Sequence, residues 1–275
     1  MSATLSSTRV VLVTGADTRL GFATAQRVIA DGDTVIAHIL DKNHADATAE
    51  RLRAASTAPG AAAAPGRIRM VQADFARLAE VDALGSVLAA EYPRLDALIH
   101  AASMPAPDAR THTEDGHELT WQVNYLAPQR LTAAVLPALA AARGRVVAVT
   151  SALHAAGNID YTDLDRRRGI YTPLAIYAQS KLALTMFSRS LAETGPEGLV
   201  SVSVHPADFE IDLPRLRSHR TAPLESAADL LARLAAPGTP VTNGGYYERG
   251  TLANLAALVR NSRARARLAA WSNQL

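Results

Sequence analysis

Tyr177-Ala178-Gln179-Ser180-Lys181 sets a phenol and an ammonium four residues apart. That interval puts both side chains on one face of a helix. There the ammonium can lower the phenol's pKa and suit it to give and take a proton near neutral pH. The lysine is unusual in this chain. Lysine and arginine total 28, and all but Lys42 and Lys181 are arginine. Arginine cannot be deprotonated and presents a broad fork, whereas lysine presents a compact point charge. A second candidate is Ser151, which directly follows the apolar run Arg145-Val146-Val147-Ala148-Val149-Thr150. Ligands of α/β sheets sit at such strand ends.

These groups need a scaffold to hold them. Near the N-terminus, the apolar run Arg9–Thr14 stops at Gly15 and a helical pattern begins at Leu20-Gly21. A strand, a glycine turn and a helix N-terminus make a pyrophosphate site, because unsatisfied N–H groups and the helix dipole face the anion. Gly15, Thr18, Arg19, Leu20 and Gly21 are its candidate residues. Asn124 is singled out by Pro128, four residues later in a helical pattern. Proline has no N–H, so the Asn124 carbonyl loses its helical partner and the helix should kink there.

Strand-like runs at 9–14, 34–39, 67–72, 95–100, 144–150, 198–205 and 241–247 alternate with helical patterns near 20–31, 43–55, 77–91, 115–141, 172–193 and 224–236. This alternation predicts an α/β fold: one Rossmann-type domain over 1–275, a doubly wound parallel sheet of about seven strands with helices on both faces. The Ala/Pro/Gly-rich stretch 54–66 reads as a loop inside it. Arg260, Arg263, Arg265 and Arg267 read as a solvated helix face.

Together these residues resemble the short-chain dehydrogenase/reductase family. Its Thr-Gly-x3-Gly-x-Gly turn falls on Thr14 to Gly21, its Tyr-x3-Lys on Tyr177 and Lys181, its serine on Ser151 and its helix asparagine on Asn124. The runs 113–116, 157–160, 179–182 and 245–247 look like the retinol-dehydrogenase-like branch, and the Arg-bearing turn looks like that of pteridine reductases. The resemblance implies an NAD(P)(H)-dependent oxidoreductase that moves a hydride between the nicotinamide and a small organic substrate, a carbonyl or alcohol first of all. Tyr177 would be the acid–base residue. Lys181 would hold the nicotinamide ribose, Ser151 would bond the substrate oxygen and the phenol, and Asn124 would hold a water in a proton relay.

The implied cofactor contacts continue through Asp41 at the ribose, Asp74 and Phe75 at the adenine, Ala101 and Ala102 after the fourth strand, Pro206 after the sixth, and Tyr177 and Lys181 themselves. A carboxylate at Asp41 favours NAD(H); Arg19, His38 and Lys42 favour NADP(H), to which the balance leans slightly. The chain departs from the family at Arg19, His100, Ala207 and Ile211. A lyase, isomerase or epimerase on the same scaffold, or a non-catalytic NAD(P) sensor, are the alternatives.

Tyr177 lies 26 positions after Ser151. The interval predicts an added wall at 152–172, carrying His154, Asp160, Tyr161, Asp163 and Asp165. A second wall is expected at 207–222, with Phe209, Leu213 and Leu216.

Composition bounds the rest. The chain is 48% hydrophobic and 20% charged, with formal net charge +2 and no cysteine. These values argue against a nucleic-acid partner and exclude disulfides, thiol catalysis and Cys-ligated zinc; no metal site is expected. No long apolar run or signal-peptide core is present. The expectation is a soluble cytoplasmic protein with a small-molecule substrate and no membrane partner, with a homodimer or homotetramer as the candidate assembly.

Overall fold

The computed structural model describes residues 8–56, 66–206 and 223–274. The expected wall at 207–222, with Ala207 and Ile211, and most of the Ala/Pro/Gly-rich stretch lie outside them.

The strands are β1 Val10–Thr14, β2 Thr34–Ile39, β3 Ile68–Gln72, β4 Ala97–His100, β5 Arg145–Val149, β6 Val200–His205, β7 Tyr246–Glu248 and β8 Thr251–Ala253. They form one sheet in the order β3-β2-β1-β4-β5-β6-β7-β8. The first seven strands run parallel, and β8 is antiparallel to β7. Strands covered on both faces read as continuous apolar runs; Val11, Leu12 and Val13 of β1 are wholly buried. Residues 241–245, expected as the start of the last strand, instead include a turn at Gly244, where φ is 76°. The eighth strand was not expected. Arg249 and Gly250 have φ of 50° and 87° and join β7 to β8, the two-residue connection that matches the twist of a hairpin.

The helices are α1 Arg19–Ala30, α2 Ala45–Ser56, α3 Leu78–Glu91, α4 Leu119–Trp121, α5 Ala127–Ala142, α6 Pro173–Thr194, α7 Leu224–Ala235, α8 Ala257–Arg260 and α9 Ser262–Ser272. Helices α1 and α7 pack Ala25, Val28 and Leu231 against Val11, Val13 and Ile99 on one face of the sheet. On the other face, α3 and α5 pack Val81, Leu131 and Leu139 against Leu12, Leu98 and Val146. The sheet is thus doubly wound. β1 is flanked by β2 and β4, so the chain reverses direction across the sheet at the β1/β4 boundary, where a crevice opens at the strand ends.

Two details carry into the site. First, α4 and α5 are one rod interrupted by a π-helical turn, Gln122–Leu126, in which the Ala127 N–H reaches back to the Gln122 carbonyl. The expected disturbance before Pro128 therefore takes the form of a widened turn, which absorbs the missing N–H. Second, α8 and α9 cover α6. Arg265 is 5% exposed and donates to the Val259 carbonyl and the Glu193 carboxylate. This corrects the reading of Arg265 as a solvated residue: its charge is buried because it is paired. Arg267 lies over the Tyr161 ring, 4.2 Å from its centroid.

Candidate active site

The turn after β1 is built by close approaches. Gly15 has φ of +70°, and a Cβ there would lie 2.7 Å from the Ala102 Cα. A Cβ on Gly21 would lie 2.0 Å from the Gly15 carbonyl oxygen. Thr18 caps α1: its hydroxyl accepts from the Gly21 N–H at 3.1 Å and donates to the Gly15 carbonyl at 2.7 Å. Arg19 is the first residue of α1, and Leu20 packs into the core beneath it. Thr14 Oγ1 accepts from the N–H groups of Ala101 and Ala102, at 3.1 and 3.0 Å. The loop after β4 is thereby fastened to β1.

A cavity of about 440 Å³ opens at these strand ends, lined by Gly15, Asp17, Thr18, His38, Leu40, Asp74, Phe75, Ala102, Ser103 and Met104 among others. His38 forms part of its floor. Its Nδ1 accepts from the Gly15 N–H at 3.1 Å, its Nε2 lies 2.9 Å from the Ala73 carbonyl, and its ring stacks on Phe75 with centroids 4.4 Å apart. Only a neutral ring satisfies both bonds, and burial holds its pKa below the ordinary value. His38 therefore cannot serve as the cation expected for a 2′-phosphate. Asp41 also differs from expectation. It caps a short 3-10 turn, accepting from the Asn43 N–H at 2.9 Å, with 43% of its side chain exposed, and it does not line the cavity. Asp17 does. Its Oδ2 accepts from the Leu40 N–H at 2.7 Å. Asp74 lines the cavity too, with Oδ1 accepting from the Ala76 N–H at 2.8 Å. Arg19 faces a neighbouring open groove of about 870 Å³ between α1, α2 and α7, which shares Asp17 and Thr18.

Helix α6 carries the phenol and the ammonium as the spacing implies. Tyr177 is 5% exposed and Lys181 1%. Lys181 Nζ lies 5.4 Å from the Tyr177 ring centroid and donates to the Val149 carbonyl, at the end of β5, at 3.2 Å. Burial pushes the Tyr177 phenol up to about 12, partly offset by a hydrogen bond with Ser103. Burial pushes Lys181 down to about 7. The expected lowering of the phenol by its ammonium is therefore not met in the protein alone. Desolvation penalises both charged forms and outweighs their attraction.

Ser151 is buried at the end of β5, but its hydroxyl caps the turn Ala152–Ala156, accepting from the Leu153 N–H at 3.2 Å. The side chain that lowers the phenol's pKa is Ser103, which is not among the expected site residues. Its signal was the departure itself: Ser103 ends the His100–Ser103 run, which differs from the family pattern. Asn124 clamps the same loop from the other side. Its amide donates to the Met104 carbonyl at 2.9 Å and to Ser180 Oγ at 3.1 Å, and its Oδ1 accepts from the Met104 N–H at 2.9 Å. Pro206 follows β6 and is buried.

His154 is 2% exposed, with Nδ1 2.8 Å from the Ser151 carbonyl and its ring against Tyr246. His100 is buried, with Nε2 2.7 Å from Thr132 Oγ1. Burial pushes it down to about 3, so it is a neutral core residue. The acids of the 152–172 wall shape that wall. Asp160 accepts from the Thr162 N–H, Asp163 from the N–H groups of Arg167 and Arg168, and Asp165 meets His117 Nδ1 at 2.9 Å. Tyr161 donates to the Ala264 carbonyl at 2.6 Å. Among the described residues there is no group of side chains arranged to hold a metal ion. None of the described helices is long and apolar enough to cross a membrane.

Residues 9–217 match the model of the short chain dehydrogenase family. Retinol dehydrogenase 13 of Mus musculus is 33% identical over 75% of this chain and 60% of its own length. DnrU of Streptomyces sp. (strain C5), a proposed daunorubicin C-13 ketoreductase, is 36% identical over 87% of this chain and 82% of its own. The chain thus spans about three fifths of that retinol dehydrogenase. A crystal structure of an uncharacterized Mycobacterium paratuberculosis protein superposes with a TM-score of 0.75 at 27% identity, over 97% of this chain and 92% of the other.

Proposed function

Because the chain belongs to the short-chain dehydrogenase family, we propose that it is an NAD(P)(H)-dependent oxidoreductase acting on a carbonyl or alcohol, with Tyr177 as its acid–base residue. One observation carries the reading: buried Tyr177, with Lys181 Nζ 5.4 Å from its ring centroid, has its phenol's pKa lowered by Ser103, which lines the cavity at the β1/β4 crevice. The proton donor and the proposed nucleotide site therefore adjoin. The residues of the turn fit a dinucleotide, because Gly15 and Gly21 leave no room for a Cβ and α1 points its N-terminus at the cavity mouth. Gly15, Thr18, Arg19, Leu20, Gly21, Asp74, Phe75, Ala101, Ala102 and Pro206 would surround it. The nicotinamide would supply or take the hydride.

The chain's own residues do the rest. A phenol at about 12 keeps its proton at neutral pH and is ready to donate it to a carbonyl oxygen becoming an alkoxide. Ser151 stands ready to turn its hydroxyl onto the same oxygen. Lys181, lowered to about 7 by burial, becomes a fuller cation when ribose hydroxyls also accept its protons, and so favours the phenolate in the reverse direction. Asn124 holds the loop beneath them. Relatives named for retinol and for a ketone support a carbonyl/alcohol couple. Arg19 and Lys42 speak for NADP(H), and Asp17 against it. A cytoplasmic homodimer or homotetramer is the proposed state, read by light scattering.

The test is absorbance at 340 nm with NADH, NADPH and a panel of aldehydes and ketones. Tyr177→Phe should lower turnover by roughly 10²-fold or more with an unchanged melting temperature. Wild-type turnover in that variant would overturn the assignment. Substrate conversion without net cofactor oxidation would favour an isomerase or lyase, and binding of reduced cofactor without any conversion would favour a sensor.

A further inference from the structure

We infer that Asp17 is the carboxylate that meets the adenine ribose and that it sets the site for NAD(H) over NADP(H). This rests on the nucleotide reading of the cavity above. Asp17 leaves the glycine turn and reaches across to the end of β2, where Oδ2 takes the Leu40 N–H at 2.7 Å. That bond fixes the carboxylate at the strand end where ribose hydroxyls are read in folds of this type. Its Oδ1 has no hydrogen-bond partner among the described residues, and it is free to accept from a 2′- or 3′-hydroxyl.

The cavity's charge agrees. Its described lining carries two carboxylates, Asp17 and Asp74, and no lysine or arginine. His38, on the floor, is committed as a neutral ring between Gly15 and Ala73. Asp41 is occupied in capping its own turn. Leu40, at the mouth, is 54% exposed and offers a 2′-phosphate no donor from its side chain. Arg19 lines the neighbouring groove and not this cavity. A 2′-phosphate placed against Asp17 would set like charges together, which costs affinity.

Calorimetric titration of NAD⁺ and NADP⁺ into the purified full chain and into Asp17→Asn tests this. The amide oxygen of Asn can still accept the Leu40 N–H while the charge is gone. Wild type should bind NAD⁺ at least about tenfold more tightly than NADP⁺, and Asp17→Asn should tighten NADP⁺ about tenfold. NADP⁺ preference in wild type, or a ratio unmoved by the substitution, overturns this inference alone. If neither dinucleotide binds either protein while both melt normally, the nucleotide reading falls and takes this inference with it.

Discussion

Replacing Lys181 by Met tests how the buried ammonium weighs on the fold. Its Nζ is buried with the Val149 carbonyl as its hydrogen-bond acceptor, and burial lowers its pKa from 10.5 to about 7. The unfolded chain keeps the ordinary value. Below pH 7 both states hold the proton, and the folded state bears the full cost of a buried charge. Between pH 7 and 10.5 the unfolded chain binds one more proton than the folded one. Unfolding free energy therefore climbs with pH by about 1.4 kcal/mol per unit, and by ~5 kcal/mol across the whole interval. Methionine keeps an unbranched stem of similar length and removes the titration, losing one hydrogen bond worth about 1 kcal/mol. Cofactor-free Lys181→Met should be more stable than wild type at pH 6 by ~4 kcal/mol, and the advantage should vanish by pH 10. Urea unfolding of both proteins at pH 6, 7, 8, 9 and 10 gives the difference curve, in which groups common to both cancel. A difference that stays constant across that range would refute the reasoning, because it would mean that Lys181 holds its proton in both states throughout.

Two further substitutions probe the turn and its loop. Thr14→Val removes the acceptor of two N–H groups, those of Ala101 and Ala102; it should cost about 2–4 kcal/mol in urea unfolding, and a loss under 0.5 kcal/mol would show that another acceptor takes over. Gly21→Ala forces a Cβ to 2.0 Å from the Gly15 carbonyl. Calorimetry should find dinucleotide binding abolished, and wild-type affinity would show that the turn opens at little cost.

The sheet was legible because covered parallel strands leave long β-branched runs, as at Val10–Thr14, and because glycine and proline punctuate them. The pairing of Tyr177 with Lys181 was legible because helical spacing is local. What failed to show was set by contacts distant in sequence. Asp17 and Ser103 look like ordinary loop residues until the Leu40 N–H and the Tyr177 phenol arrive from other elements. His38 was misread as a cation, since nothing in a sequence window says that Phe75 and Ala73 will enclose it. The phenol's acidity was misjudged for the same reason: burial is a property of the whole fold. β8 escaped notice because its three residues follow Arg-Gly rather than a stronger hairpin signal.

The cover that α8 and α9 form over α6 has a consequence for biosynthesis. Tyr161 bonds Ala264, Tyr125 meets Ser272 at 2.6 Å, and Arg265 pairs with Glu193. The helix bearing Tyr177 and Lys181 is thus completed by residues translated some 80 positions later. Until Ser272 has left the ribosome, the apolar seam of Trp121, Tyr125, Leu182 and Met186 lacks its last cover. The half that carries the chemistry must wait for it, and the nascent chain in that interval is the species most in need of a chaperone.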